Sequence, residues 1–166
     1  MVKLKFLVTG SAGLIGRQVV KDLSETHEVF SCYNKSEPEH GSIIKMDLLN
    51  HEMISNVMSE KKPDVVIHLG AMTAVDLCDA QQDNALKINS QATEILAKEC
   101  SKIISNYNAN LVGYACLIDR SNENLQIKEK IISQIKFEIK TFKEDSLPED
   151  LKKIKPVKPG SRILPK

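Results

Sequence analysis

The sequence predicts an α/β fold: a parallel sheet with helices on both faces, truncated, and followed by an extended basic C-terminal tail. Two observations carry that prediction. Residues 3 to 105 alternate short β-branched runs with longer amphipathic stretches, the order that lays a parallel sheet under helices. Three glycines, Gly10, Gly13 and Gly16, stand where the first strand hands over to the first helix. In chain order, Lys3 to Thr9 reads as a buried strand. Leu14 to Leu23 has helical spacing, with Leu14, Ile15, Val19, Val20 and Leu23 on one face. A second strand fits Glu28 to Tyr33 and a third fits Ser42 to Met46. His51 to Glu60 is a helix that gathers Met53, Ile54, Val57 and Met58 on one side. Pro63 to Leu69 is the fourth strand, apolar enough for a central position. Asp83 to Ile104 reads as one long helix or two abutting ones.

After a polar break at Asn106 to Asn110, Leu111 to Ile118 is a fifth apolar run that would complete the sheet. The stretch from Ile131 to Phe142 is two-sided. Ile135, Phe137, Ile139 and Thr141 alternate as a strand would, which favours strand for its second half, while Lys128 to Ile135 also suits the start of a helix. From Leu151 to Lys166 there are six basic residues, no acidic ones, and prolines at 156, 159 and 165, so this tail is expected to be extended and exposed.

With 166 residues and 42% hydrophobic content, the chain can bury one packed core with a small appendage. Twenty-three basic against 22 acidic residues leave a net charge of +1, which gives no reason to expect nucleic acid or an anionic membrane as a partner. No apolar run approaches the roughly 20 residues that span a bilayer. Met1 to Lys5 leads into Phe6-Leu-Val-Thr9 rather than a signal peptide, so a cytoplasmic protein is expected. Cys32, Cys78, Cys100 and Cys116 lack metal-ligand spacing and read as reduced, mostly structural thiols.

The strongest motif is Thr9-Gly10-Ser11-Ala12-Gly13-Leu14-Ile15-Gly16, a Gly-x-x-Gly-x-x-Gly turn between strand and helix. Glycines there allow a tight turn, close approach of backbone to a pyrophosphate, and close packing of helix on strand. The helix N-terminus meanwhile presents N–H groups to the anion. The three glycines also suit an ordinary tight strand-to-helix turn, but their spacing in this context favours the phosphate-binding turn of a Rossmann-type sheet.

With Asp47-Leu48, His68-Leu-Gly70-Ala71 and Lys87-Ile-Asn89 following in order, residues 1 to 103 resemble the N-terminal half of an extended short-chain dehydrogenase/reductase. That family includes dTDP-4-dehydrorhamnose reductases and nucleotide-sugar epimerases. The resemblance implies that Thr9, Gly10, Gly13 and Gly16 bind a nicotinamide dinucleotide, with Leu14 and Ile15 beside it. It implies that Asp47 and Leu48 meet adenine, that Gly70 and Ala71 lie toward the ribose and nicotinamide, and that Asn89 is the family's helix asparagine. Taken singly, Asp47 also reads as a helix cap before Leu48-Leu-Asn50, and His68 as a satisfied structural histidine. The cofactor is NADP or NAD. No acidic residue stands about 20 positions past the first glycine to hold an NAD ribose, whereas Lys35 in Asn34-Lys35-Ser36 is placed to meet a 2′-phosphate, which leans toward NADP.

The family's catalytic Tyr-x-x-x-Lys pair is absent, because Tyr33, Tyr107 and Tyr114 are not followed by lysine four positions on. Ser121 reads as a turn residue, no catalytic residue is assigned, and the family's C-terminal substrate lobe has no counterpart in the remaining residues. Those residues, 104 to 166, carry Leu111 to Ser121 with Asp119-Arg120, then Ile135 to Phe142, then Val157-Lys-Pro-Gly-Ser-Arg162. They resemble the C-terminal end of orotate phosphoribosyltransferases, which implies that Arg120 contacts orotate. That family's pyrophosphate loop and lysine-bearing loop are missing. A natural fusion, a gene remnant and a join introduced in assembling the sequence all fit the change of texture near residue 103.

Three regions are therefore expected: a dinucleotide-binding Rossmann half at 1–105, a strand and strand/helix extension at 106–150, and the tail at 151–166. The leading functional expectation is an NAD(P)-binding domain without independent catalysis. One alternative is an orotate phosphoribosyltransferase-like protein of pyrimidine biosynthesis. Another is a non-catalytic remnant or interaction module that forms a homodimer through apolar surface left open where a substrate lobe would dock.

Overall fold

The structure, a computed structural model, describes residues 2–120, 129–137, 142 and 144–154. The chain divides into two compact units, residues 1–110 and 111–166, each taken by itself below.

In the first unit, β1 (Lys5–Thr9), β2 (Glu28–Tyr33), β3 (Ser42–Lys45) and β4 (Val65–His68) form an all-parallel sheet in the order β3-β2-β1-β4. The helices are α1 (Leu14–Ser24), α2 (His51–Lys61), α3 (Val75–Ala80), α4 (Gln82–Leu86) and α5 (Ala92–Asn106), with a π-helical turn at Lys87–Gln91 between α4 and α5. Alternation along β1 sends successive side chains to opposite faces. Leu7 enters a core with Phe30, Cys32 and Met46 under Ile54 and Met58 of α2 and Ala92 and Leu96 of α5. Val8 packs on the other face with Val29 and with Val20 of α1. Helices thus cover both faces of a Rossmann-type sheet. Leu7, Ile54 and Met58 are fully buried, each worth about 1.5–3 kcal/mol of transfer free energy.

The periodic segments fall where the sequence places them, although Leu14 and Ile15, read with the apolar face of α1, are exposed and only Val20 of that set is buried; α2 shows how local signals fix the bounds. Asn50 caps it by accepting from Met53 N–H at 3.0 Å, and Lys62 ends it in the left-handed conformation. Asp47 is therefore not that helix's cap. Its Oδ1 accepts from Leu49 N–H at 3.0 Å, closing a turn ahead of the helix.

Four expectations are corrected. The apolar run at β4 is an edge strand of the four, half-buried along its length, and β1 holds the inner position with β2 and β4 on its two sides. The fifth apolar run does not join this sheet. β5 (Gly113–Asp119) belongs to the second unit and pairs in parallel with β6 (Lys130–Lys136). The helical alternative for Lys128 to Ile135 gives way to that strand, whose Ile131, Ile132 and Ile135 are β-branched and suit it. The expected strand character of residues 138–141 lies outside the described residues. The tail does not start extended at Leu151, because Leu151 and Lys152 finish a one-turn helix, α6 (Glu149–Lys152), and residues 155–166 lie outside the description.

Among the described residues no helix is long and apolar enough to cross a membrane, and no group of His, Cys, Asp and Glu side chains is placed to hold a metal ion.

Candidate functional site

Register sets the site. Thr9 stands between Cys32 on β2 and His68 on β4, so the C-terminal ends of three parallel strands lie side by side, where ligands of open α/β sheets bind. The chain leaves β1 through Gly10 at φ +65°, a conformation that favours glycine. Ser11 ties the turn to β2, its Oγ donating to the Cys32 carbonyl at 2.7 Å. Gly13 N–H closes the turn on the Gly10 carbonyl at 2.9 Å and then serves as the N-cap residue of α1. No side chain caps α1 and no acidic residue lies in its first turn, so its leading N–H groups keep their positive field.

The three glycines differ in what forbids a side chain. A Cβ on Gly10 would lie 2.7 Å from Gly70 N, and one on Gly16 would lie 2.8 Å from Ser11 Cα. Both are excluded by the protein's own backbone. A Cβ on Gly13 would meet one atom of the protein, the Gly10 carbonyl oxygen at 3.1 Å, and otherwise faces open space.

That open space is a cleft of about 820 Å³. Its floor and walls come from the turn after β1, with Thr9, Gly10, Gly13, Leu14, Ile15 and Gly16, and from the ends of the neighbouring strands. Leu14 and Ile15 are 85% and 61% exposed, which leaves two apolar side chains at its mouth. Lys35 lines it beyond β2, Asp47 and Leu48 line it beyond β3, and Gly70 and Ala71 line it beyond β4. Tyr33 lies at the β2 rim, and its hydroxyl donates to Glu37 at 2.7 Å, an acceptor that pushes the phenol pKa up.

The β4 wall is held by Thr9. Its buried Oγ1 accepts from Leu69 N–H at 3.1 Å and from Gly70 N–H at 3.0 Å, and lies 2.7 Å from His68 Nδ1. His68 Nε2 reaches Thr93 Oγ1 at 3.1 Å. Burial pushes the His68 pKa below its usual value. Among the described residues both ring nitrogens of His68 are thus satisfied, by Thr9 and Thr93, and no carboxylate partners it.

Asn89 does not line the cleft. From the π-helical turn its Oδ1 accepts from Met72 N–H at 2.7 Å and its Nδ2 donates to the Met72 carbonyl at 2.9 Å, so it braces from behind the loop that carries Ala71. Cys78 Sγ donates to the same carbonyl at 3.2 Å. Arg120 belongs to the second unit. It is exposed beside the buried Asp119, whose carboxylate is 3.5 Å from Lys136 Nζ.

Among the sequence-derived candidates the structure therefore brings together Thr9 to Gly16, Lys35, Asp47, Leu48, Gly70 and Ala71. Sequence reasoning missed Cys32, Met46 and Thr73 in the lining, with Leu77 from α3, Gln81 between α3 and α4, Asn84 from α4 and Ile88 from the π-helical turn. These residues carry no motif. Their signal is position, at strand ends or one helix away from the β4 loop, and it becomes legible only once register is known.

Fold and turn together define a Rossmann-type α/β domain with a glycine turn of dinucleotide-binding form. The profile described as RmlD substrate binding domain matches residues 4–115, and the chain belongs to that family, within the extended short-chain dehydrogenase/reductases. A hypothetical dTDP-4-dehydrorhamnose reductase from Sulfolobus tokodaii is 30% identical with a TM-score of 0.57, over 78% of this chain and 45% of that one. The dTDP-4-dehydrorhamnose reductase of Bacillus anthracis str. Ames, solved in complex with NADP, shares the fold at 24% identity and a TM-score of 0.54, over 72% and 38% of the two chains. Among curated relatives, methionine adenosyltransferase 2 subunit beta of Rattus norvegicus is 30% identical over 101 residues, 60% of this chain and 29% of its own length. Orotate phosphoribosyltransferase of Methylorubrum extorquens (strain PA1) is 43% identical over 74 residues, 45% of this chain and 38% of its own. The chain thus spans less than half the length of these relatives.

Proposed function

We propose that the first unit binds a nicotinamide dinucleotide, NADP or NAD, in the cleft at the C-terminal ends of β1, β2 and β4, as the nucleotide-binding part of a reductase or epimerase. The observation that carries this reading is Gly13. Of the three turn glycines it is the one that the protein's own packing leaves in the open, at the uncapped start of an 11-residue helix, on the wall of the cleft. Absence of a side chain at that point leaves room for a pyrophosphate against the first-turn N–H groups. Leu14 and Ile15 would pack beside it, Asp47 and Leu48 would meet the adenine end, and Lys35 would offer its ammonium to a 2′-phosphate.

When bound, the nicotinamide would supply hydride transfer. The chain's own residues bind and orient it: Thr9 holds the Leu69–Gly70 backbone in place, and Asn89 braces Met72 behind Ala71. None of the tyrosines is followed by lysine four positions on, the spacing of the reductases' catalytic pair, so proton transfer to a substrate is not assigned to any residue here.

The test is the unfolding midpoint of the whole chain with NADPH and NADH, because a ligand of the native state at 100 times its Kd adds about 2.7 kcal/mol. Gly13→Asp sets a carboxylate against the pyrophosphate. It is expected to abolish the cofactor-induced rise while leaving the ligand-free midpoint nearly unchanged, and an undiminished rise would overturn the reading.

A second reading concerns the second unit, and the 43% identity to an orotate phosphoribosyltransferase favours it. Arg120, exposed at the end of β5, would contact orotate. A flat calorimetric titration with orotate and its nucleotide removes that reading.

A further inference from the structure

The hydrogen bonds at Thr9 have directions that follow from counting donors. Oγ1 accepts from two backbone N–H groups, those of Leu69 and Gly70, which uses both of its lone pairs. Its single proton is left for His68 Nδ1 at 2.7 Å. Nδ1 is then the bare nitrogen, the ring is the neutral tautomer protonated on Nε2, and Nε2–H donates to Thr93 Oγ1 at 3.1 Å.

We infer that His68 is a positioning residue for the nucleotide cleft: by accepting the Thr9 proton it keeps the Thr9 lone pairs turned to the Leu69–Gly70 backbone, and its protonation releases that wall. The inference rests on the nucleotide reading above and adds to it an acid-dependent loss of nucleotide.

An imidazolium carries a proton on each nitrogen. Its Nδ1–H would point at Thr9 Oγ1, which can accept a third bond only by giving up Gly70 or by leaving Leu69 N–H to its longer bond with the Thr9 carbonyl at 3.3 Å. Gly70 is where three parts of the cleft meet, since a side chain there would strike Leu48 at 2.8 Å, Thr9 Oγ1 at 3.2 Å and Gly10 N at 3.3 Å. A shift at Gly70 is therefore felt both by the glycine turn and by the wall beyond β3. Among the described residues the groups that face the ring are uncharged: Thr9 from β1, Thr93 from α5, and the Leu69–Gly70 backbone. Next to Thr93 on α5, Glu94 is committed to Lys98. At the far end of β1, Lys5 N–H donates to Asp64 Oδ2 at 2.8 Å. With no charge to favour the imidazolium, burial keeps His68 neutral below the ordinary histidine range, which supports the same geometry.

The experiment titrates the full chain with NADPH and with NADH by fluorescence between about pH 5 and pH 8, in wild type, His68→Leu and His68→Asn, with circular dichroism recorded at each pH. Wild type is expected to bind evenly at neutral pH and to lose affinity below the histidine range, approaching the one-proton limit of tenfold per pH unit. His68→Leu is expected to bind weakly at every pH. His68→Asn presents an amide oxygen to the Thr9 hydroxyl and does not titrate, so it is expected to rescue binding relative to His68→Leu and to remove the acid loss. Parallel acid loss in wild type and His68→Asn would overturn the inference.

A ligand-free measurement separates this inference from the nucleotide reading. Nitrogen-15 spectra are expected to show the His68 ring protonated on Nε2, with the Leu69 and Gly70 amides moving at the His68 titration midpoint. A ring protonated on Nδ1, or amides that ignore the titration, would overturn the inference whether or not nucleotide binds. Coupled titration in a chain that binds neither nucleotide would support the His68 device and overturn the nucleotide reading.

Discussion

Gly10 and Gly70 stand backbone to backbone: a Cβ placed on Gly10 would sit 2.7 Å from the Gly70 nitrogen and 2.8 Å from the Leu69 carbonyl carbon. Two loops 60 residues apart in sequence thus cross at a distance that only two bare backbones allow, and the floor of the cleft is made at that crossing.

The turn glycines should therefore separate in a stability measurement. Gly10→Ala adds left-handed strain to a backbone clash and is expected to cost at least about 1–3 kcal/mol, read from the urea midpoint. Gly13→Ala has extended backbone and one neighbour at 3.1 Å, and is expected to cost under about 1 kcal/mol while weakening nucleotide binding. Equal destabilisation by the two would mean that Gly13 is needed for folding rather than for a ligand.

Thr9 offers a second contrast. Thr9→Val keeps the shape, removes the acceptor of Gly70 N–H and leaves Leu69 N–H only the residue-9 carbonyl at 3.3 Å, for an expected loss of about 1–3 kcal/mol. Thr9→Ser keeps the hydroxyl and should lie close to wild type. A wild-type-like urea midpoint for the valine variant would show that those two amides find other partners.

Stability should also fall on the acid side because of His68. Burial sets its folded pKa below the unfolded value, near 6.5. The unfolded chain therefore binds more protons between the two values, and this contribution is complete above about pH 6.5 and lost as pH falls below it. The urea midpoint of wild type should drop between pH 7 and pH 5 by more than that of His68→Asn. Equal drops would assign the acid sensitivity elsewhere.

The four thiols should react in an order set by burial. Cys116 is exposed, whereas Cys32 is 1% exposed at the end of β2 and its pKa is pushed up to about 12 by burial. A disulfide reagent at about pH 8 is expected to label Cys116 within the mixing time and Cys32 at the rate of unfolding. Rapid labelling of Cys32 in the folded chain would show that the cleft opens to its floor.

Much of this was legible in the sequence, for a reason visible in particular residues. Glu28 to Tyr33 announces itself as a short run buried on both faces, and the His51 helix by one period and one buried face, with Ile54 and Met58 at 0% exposure. The glycine turn was legible because its spacing encodes backbone geometry directly. What stayed hidden depends on register between distant strands. Asp64-Val-Val-Ile-His-Leu reads as a central strand, yet its place at the edge is decided by which strand lies beside it. Nothing local says that β5 will pair with β6, or that Thr9 will stand beside His68. Asn89 was legible as a family position but not in its action, because bracing Met72 requires a turn whose hydrogen bonding is neither that of α4 nor that of α5.

That turn has a consequence for how the domain tolerates length changes. An α-helix advances about 100° per residue, and a π turn takes up one extra residue without ending the helix. Lys87–Gln91 therefore works as a phase shifter: the turn itself aims Asn89 at Met72, and downstream of it Ala92 and Leu96 come round to the core. Deleting a single residue there would restore an ordinary helix and put the two aims out of step. A one-residue indel in this exposed stretch, far from the glycine turn, would force a choice between a packed α5 and a braced cleft loop.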